Sequence, residues 1–138
     1  MLRELDFAGG VVVVTGGGGG IGQACAATLA ELGAAVAVIG RTAAKLEETQ
    51  ALIAAQGGAC ETYVADVTSE ADVARVRDAI AARHGRVKAV INNAGDNFRS
   101  KITDLSTEDD FSVLGRNAIS VLGAGGGGAD ACGIENVF

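Results

Sequence analysis

The stretch Val11-Val12-Val13-Val14-Thr15-Gly16-Gly17-Gly18-Gly19-Gly20-Ile21-Gly22 decides the fold. Four consecutive β-branched residues are stiff at χ1 and pack well on a pleated surface. A run without polar alternation suits a strand covered on both faces, as in a parallel sheet. The glycines behind it are poor helix and strand formers and suit a turn. A small-residue helix is predicted next over residues 21–32, with Gly33 as its C-terminal cap. Residues 35–39 read as a second buried strand. Strand, glycine turn, helix and strand together form the context that a phosphate-cradling turn needs. Gly16 is expected to permit the tight turn, the middle glycines to let a pyrophosphate approach the backbone, and Gly22 to allow close packing of helix and strand. The helix N-terminus adds unpartnered N–H groups and the positive end of the helix dipole. A flexible glycine linker is the alternative.

Outward from this unit the pattern repeats. Residues 43–56 are predicted helical, with Leu46 and Ile53 on one face and Gly57-Gly58 ending the helix. Residues 61–64 form a short third strand. Ser69 starts the next helix, with Asp72 completing an approximate capping box. Val73, Val76 and Ile80 make its apolar stripe, and Gly85 stops it. Residues 87–91 are the fourth strand. Ser106 or Thr107 caps a further helix that buries Phe111, Leu114, Ala118 and Val121 or Leu122. Such alternation defines an α/β protein with right-handed crossovers, here a Rossmann-like doubly wound parallel sheet of about four strands. The expected strand order is 3-2-1-4, with the switch point between strands 1 and 4. Ligands bind at the carboxyl ends of the strands there, where residues 15–22 and 92–95 are both expected.

The 138 residues suit one domain, expected over residues 1–122. Residues 123–138 read as a glycine-rich, flexible tail, since Gly123-Ala124-Gly125-Gly126-Gly127-Gly128 cannot sustain a helix. A hydrophobic share of 49 % supports a core. No apolar run nears the roughly 20 residues that span a bilayer. Met1-Leu2-Arg3-Glu4 lacks the layout of a signal peptide, so a soluble, cytoplasmic protein is expected, with no membrane partner. A net charge of −6 with few aromatics argues against nucleic acid. Cys25, Cys60 and Cys132 are odd in number and widely spaced, as reduced thiols are, and no metal site is expected. His84, the single histidine, reads as a helix-end residue favoured by the dipole.

The spacing Thr15-Gly16-x-x-x-Gly20-Ile21-Gly22 resembles the glycine motif of the short-chain dehydrogenase/reductase family. Further matches follow in order. Asp66-Val67 stands after strand 3, where the family contacts the adenine ring. Asn92-Asn93-Ala94-Gly95 resembles the family's Asn-Asn-Ala-Gly, and Asn117 falls at the place of its active-site asparagine, whose backbone carbonyl holds a water in a proton relay. The resemblance covers residues 7–122 and implies an oxidoreductase acting on a carbonyl/alcohol pair. It implies that Gly16, Gly18, Gly20, Ile21, Gly22, Arg41, Asp66, Val67, Asn93, Ala94 and Gly95 hold the dinucleotide, with Asn117 in a catalytic role. Family members that use NAD(H) usually carry an acidic residue where this chain has Arg41. An acidic group repels a 2′-phosphate, whereas Arg41 can pair with one bidentately, so NADP(H) is favoured over NAD(H). The residues also admit plainer roles. Arg41 can be an exposed arginine at a helix entry, Asp66 the start of a turn, and Asn117 a solvent-facing helix residue. Asn92 and Asn93 can bond neighbouring loop backbone.

The family's Ser and Tyr-x-x-x-Lys set finds no match. The single tyrosine, Tyr63, stands on strand 3 and is followed four residues later by Val67. Only the cofactor half of the pattern is expected, which marks a truncated chain. Two other readings stay open: a non-catalytic NADP(H)-binding module, and an interaction domain whose turn binds nothing. Strand 87–91 is expected to present an exposed apolar edge through which the chain self-associates. Missing acid–base help alone is worth roughly 10²–10⁴-fold in rate. The 138-residue chain is therefore expected to reduce no ketone with NADPH faster than its Gly20→Asp and Asn117→Ala variants do. Steady NADPH consumption above those controls would overturn this.

Overall fold

The structure, a computed structural model, describes Phe7 and residues 10–94. Along them run β1 (Val11–Thr15), α1 (Gly20–Glu31), β2 (Ala35–Gly40), α2 (Ala43–Ala55), β3 (Ala59–Val64), α3 (Glu70–His84) and β4 (Val87–Ile91). The strands form one parallel sheet in the expected order, β3-β2-β1-β4. The strand β3 begins two residues before the apolar pattern does, because Ala59 and Cys60 already pair with Ala35 and Val36. Gly33, Gly57 and Gly85 follow the three helices with positive φ, as helix stops do. The predicted helix capped at Ser106 or Thr107, together with Gly95, Asn117 and the glycine-rich segment, lies outside the described residues.

The two directions of winding explain where the helices lie. From β1 the chain steps one way to β2 and β3, then returns past β1 to β4. Right-handed crossovers in opposite directions must use opposite faces. Accordingly Val12, Val14, Val36 and Val38 pack with Ala26 and Ala30 of α1 and Leu46 and Ile53 of α2. Val11, Val13, Ala37 and Ile39 pack with Val76 and Ile80 of α3. Both faces of the four-valine run are thus buried, which is why it carries no polar residue. Val73 stays half-buried at the margin of the predicted stripe.

The pairing of β4 with β1 slips by one residue. Val11 lies opposite Val87, but Val12 lies opposite Ala89. Lys88 is the extra residue, seated over Gly10, where a Cβ would stand 2.7 Å from its Cγ. A one-residue insertion exchanges the faces of everything after it. Ala89 and Ile91 therefore turn toward the α1 side, while Val87 and Val90 join the α3 side.

The start of α3 departs from a full capping box. Ser69 Oγ accepts the Asp72 N–H at 3.2 Å. The Asp72 carboxylate does not return the bond; it accepts the Asp66 N–H at 2.9 Å and pairs with Arg75. The Asp66 N–H first, and then Arg75, hold the Asp72 carboxyl below its usual range. The helix start is thereby tied to the loop that follows β3.

The end of α3 is tied as well, with a partner that the sequence does not announce. His84 Nε2 lies 3.0 Å from Glu61 Oε2, and Tyr63 Oη donates to the same oxygen at 2.8 Å. Arg83 pairs with Glu61 Oε1. An ionised carboxylate only accepts, so Nε2 carries the proton in this bond. Partial burial pushes the Glu61 carboxyl up, but bonds from His84 and Tyr63 and the charges of His84 and Arg83 outweigh it, and the net shift is downward. Burial, then the bond to Glu61 and its charge, pushes the Tyr63 phenol up to about 12. Burial, then the Glu61 charge, pushes the Cys60 thiol up to about 11, which leaves little thiolate at neutral pH.

A carboxyl lowered in the folded state binds its proton more readily in the unfolded chain. Its stabilisation is complete above the ordinary carboxylate pKa, about 4.3, and is lost as pH falls through the lower folded value. Urea unfolding between neutral pH and about pH 3 is expected to show stability falling with acid. Glu61→Gln should reduce that slope, leaving the contribution of Asp72, which has the same sign. An unchanged slope in Glu61→Gln would sink the assignment.

Candidate functional site

The strands β1 and β4 are neighbours in the sheet, and at their carboxyl ends a crevice opens between the two loops that follow them. The glycine turn forms one wall. Gly16 has φ +65°, a left-handed conformation that few side chains tolerate. Gly22 lies so close to the turn that a Cβ would stand 2.0 Å from the Gly16 carbonyl oxygen. Its closest neighbours are the turn itself and the Asn93 amide, 2.7 Å from such a Cβ. The middle glycines divide in role. Gly17 is pressed onto Val38, where a Cβ would lie 2.6 Å from Val38 Cβ, and its N–H donates to Ile39 O at 3.1 Å. Gly18 abuts Lys45. At Gly19 and Gly20 an added Cβ would meet nothing within 4 Å. Gly19 is the N-cap of α1; no side chain caps that helix and no acidic residue occupies its first turn. Its N-terminal N–H groups and dipole are thus left for an external anion.

The opposite wall is fastened by one hydroxyl. Thr15 Oγ1 accepts the N–H groups of both Asn93 and Ala94 at 3.0 Å, and its proton points to Ile91 O at 3.4 Å. The Asn93 amide donates to Gly16 O at 3.3 Å. The amide thus bonds neighbouring loop backbone, the plainer role that its chemistry admits. Between the walls lies a cleft of about 280 Å³ that reaches the ends of β2 and β3. Among its lining residues are Gly16, Arg41, Asp66, Val67, Asn93 and Ala94.

The profile of the short chain dehydrogenase family matches residues 10–124. The chain belongs to the short-chain dehydrogenase family. It is 38 % identical over 115 residues to a (5R,7aS)-5-hydroxy-7a-methyl-1-oxo-2,3,5,6,7,7a-hexahydro-1H-indene-carboxyl-CoA reductase of Mycobacterium tuberculosis, covering 83 % of this chain and 44 % of that reductase. A metagenomic short-chain oxidoreductase in complex with NADP superposes with a TM-score of 0.76 at 30 % identity, over 85 % of this chain and 55 % of that one. NAD⁺-bound xylitol dehydrogenase superposes with a TM-score of 0.78 at 32 % identity, over 86 % and 48 % respectively. The chain thus spans about half the length of these relatives.

In this short-chain dehydrogenase chain the structure gathers most of the residues that the motifs single out. Gly18, Gly20, Ile21 and Gly22 belong to the turn but not to the lining of the cleft, and Ile21 is 74 % exposed. Gly19, Ile39, Gly40 and Ala65 line it without having been singled out. Their signal was position: each adjoins a predicted site residue at a strand end or in the turn. The Asp66 carboxylate accepts the N–H and the hydroxyl of Thr68 at 2.9 and 2.7 Å, which is the turn-starting role. Among the described residues no group of three or more His, Cys, Asp or Glu could hold a metal ion.

Thr15→Val keeps the shape and removes the acceptor of two N–H groups. It is expected to cost about 1–3 kcal/mol in urea unfolding, with Thr15→Ser retaining most of the stability. Equal stability of the Val and Ser variants would show that the two strand-end loops are not held by this hydroxyl.

Proposed function

We propose that this chain forms the cofactor-binding part of an oxidoreductase that uses NADP(H) and acts on a carbonyl/alcohol pair. The observation that carries this reading is the glycine cradle, open at Gly19 and Gly20, facing a cleft whose far end is lined by Arg41. The groups fit a dinucleotide in chemistry. Turn and helix N-terminus offer N–H donors to a diphosphate. Asp66 and Val67 border the place an adenine would take, and Asn93 and Ala94 the side where the chain enters from β4. The cofactor, when bound, supplies the hydride, while the protein binds and orients it. Gly95 and Asn117 extend the same reading from the sequence.

The relatives include both an NADP complex and an NAD⁺ complex, so the choice of cofactor rests on Arg41. It is exposed at the end of β2, and no carboxylate ion pair engages it among the described residues. A guanidinium there favours a 2′-phosphate by charge-assisted bonds.

Calorimetric titration tests the choice of cofactor. The chain should bind NADPH more tightly than NADH. Arg41→Ala should weaken NADPH by roughly tenfold to a hundredfold, the worth of a lost charge-assisted bond pair, and leave NADH nearly unchanged. Equal affinities would remove the NADP(H) preference, and binding of neither would remove the functional reading itself.

A further inference from the structure

We propose that Thr49 of α2 is a positioning residue for the cofactor phosphates: by holding the Gly17 carbonyl it fixes the Gly17–Gly18 peptide, and with it the turn whose Gly16 and Gly19 line the cleft. This rests on the dinucleotide reading above. Thr49 stands in the middle of a helix and is fully buried. A threonine so placed commonly bonds back to the carbonyl four residues earlier. Here Lys45 O lies 3.3 Å away, whereas Gly17 O lies only 2.7 Å away. A hydroxyl has one proton, and the shorter bond takes it. Gln23 Nε2 of α1 donates to the same oxygen at 3.1 Å, which fills a lone pair and polarises the hydroxyl toward Gly17.

Gly17 then has both polar groups engaged, its N–H by Ile39 O and its carbonyl by Thr49. The next N–H along the turn is that of Gly18. Among the described residues no peptide is cis, and a trans peptide is planar, so the Gly17 C=O and the Gly18 N–H point in opposite directions. Drawing the carbonyl toward α2 turns the Gly18 N–H away from α2. A peptide between two glycines offers little steric resistance to rotation, so its plane needs an outside anchor. Thr49 is that anchor.

The test compares NADPH with adenosine 2′-monophosphate, which carries the 2′-phosphate but no diphosphate. Thr49→Val should weaken NADPH roughly tenfold, as loss of one buried hydrogen bond predicts, and leave adenosine 2′-monophosphate unchanged within about twofold. Thr49→Ser should restore the wild-type ratio. Should Thr49→Val fail to fold, Gln23→Met carries the test, with a weakening confined to NADPH. An unchanged NADPH affinity in either folded variant overturns the proposal, as does an equal loss for both ligands, which a general defect of the fold would produce. A wild-type chain that binds neither NADPH nor NADH overturns the dinucleotide reading and this inference together.

Discussion

The backbone of Gly22 rests against the carbonyl of Gly16, leaving no space for even a Cβ. That contact sets how sharply the chain turns from β1 into α1. It brings α1 close enough for Ala26 and Ala30 to bury against Val12, Val14, Val36 and Val38. It also leaves Gly19 and Gly20 facing open space at the helix N-terminus. Packing and the proposed phosphate site therefore draw on the same turn. A side chain at position 22 would separate helix from turn, and both the core and the cradle would loosen.

Two buried threonines hold what surrounds that turn. Thr15 and Thr49 are the buried polar residues among those described, and each directs its hydroxyl at loop backbone beside the cleft. Buried polar groups cost free energy unless bonded, so each position is stabilising only while its partner loop stays in place. Thr15 fixes the loop after β4 to the end of β1, and Thr49 fixes the glycine turn to α2. Each wall of the cleft is thereby anchored to a neighbouring element. At the other end of the sheet the Glu61 carboxylate gathers Tyr63, Arg83 and His84, and so binds the outer strand β3 to the end of α3.

The proposed function sets two separate requirements. Binding a dinucleotide needs backbone donors and a helix end, which one glycine turn at a switch point supplies. Moving a proton needs side chains of tuned pKa placed against the substrate. In the proposed reading, the first requirement is met between Thr15 and Ala94. Tyr63, the single tyrosine, is engaged with Glu61 on the α3 side of β3 and is held ionisable only far above neutral pH.

Among the described residues, the sequence by itself determined the elements, their order in the sheet and the location of the cleft. These rest on local patterns: an unbroken valine run, helical spacing of Leu46 and Ile53, glycines after each helix, and the handedness of crossovers. Arg41, Asp66, Asn93 and the turn were legible because motif and strand end coincide. Only the tertiary structure decided the slipped register at Lys88, the diversion of Asp72 from a capping box to Asp66, and the packing of Gly17 on Val38. The same holds for the bond of His84 to Glu61, 23 residues away, and that of Thr49 to Gly17, 32 residues away. Periodicity reports which face a residue turns to, but not which backbone group waits there. That is settled only when separate elements pack and every buried donor must find an acceptor.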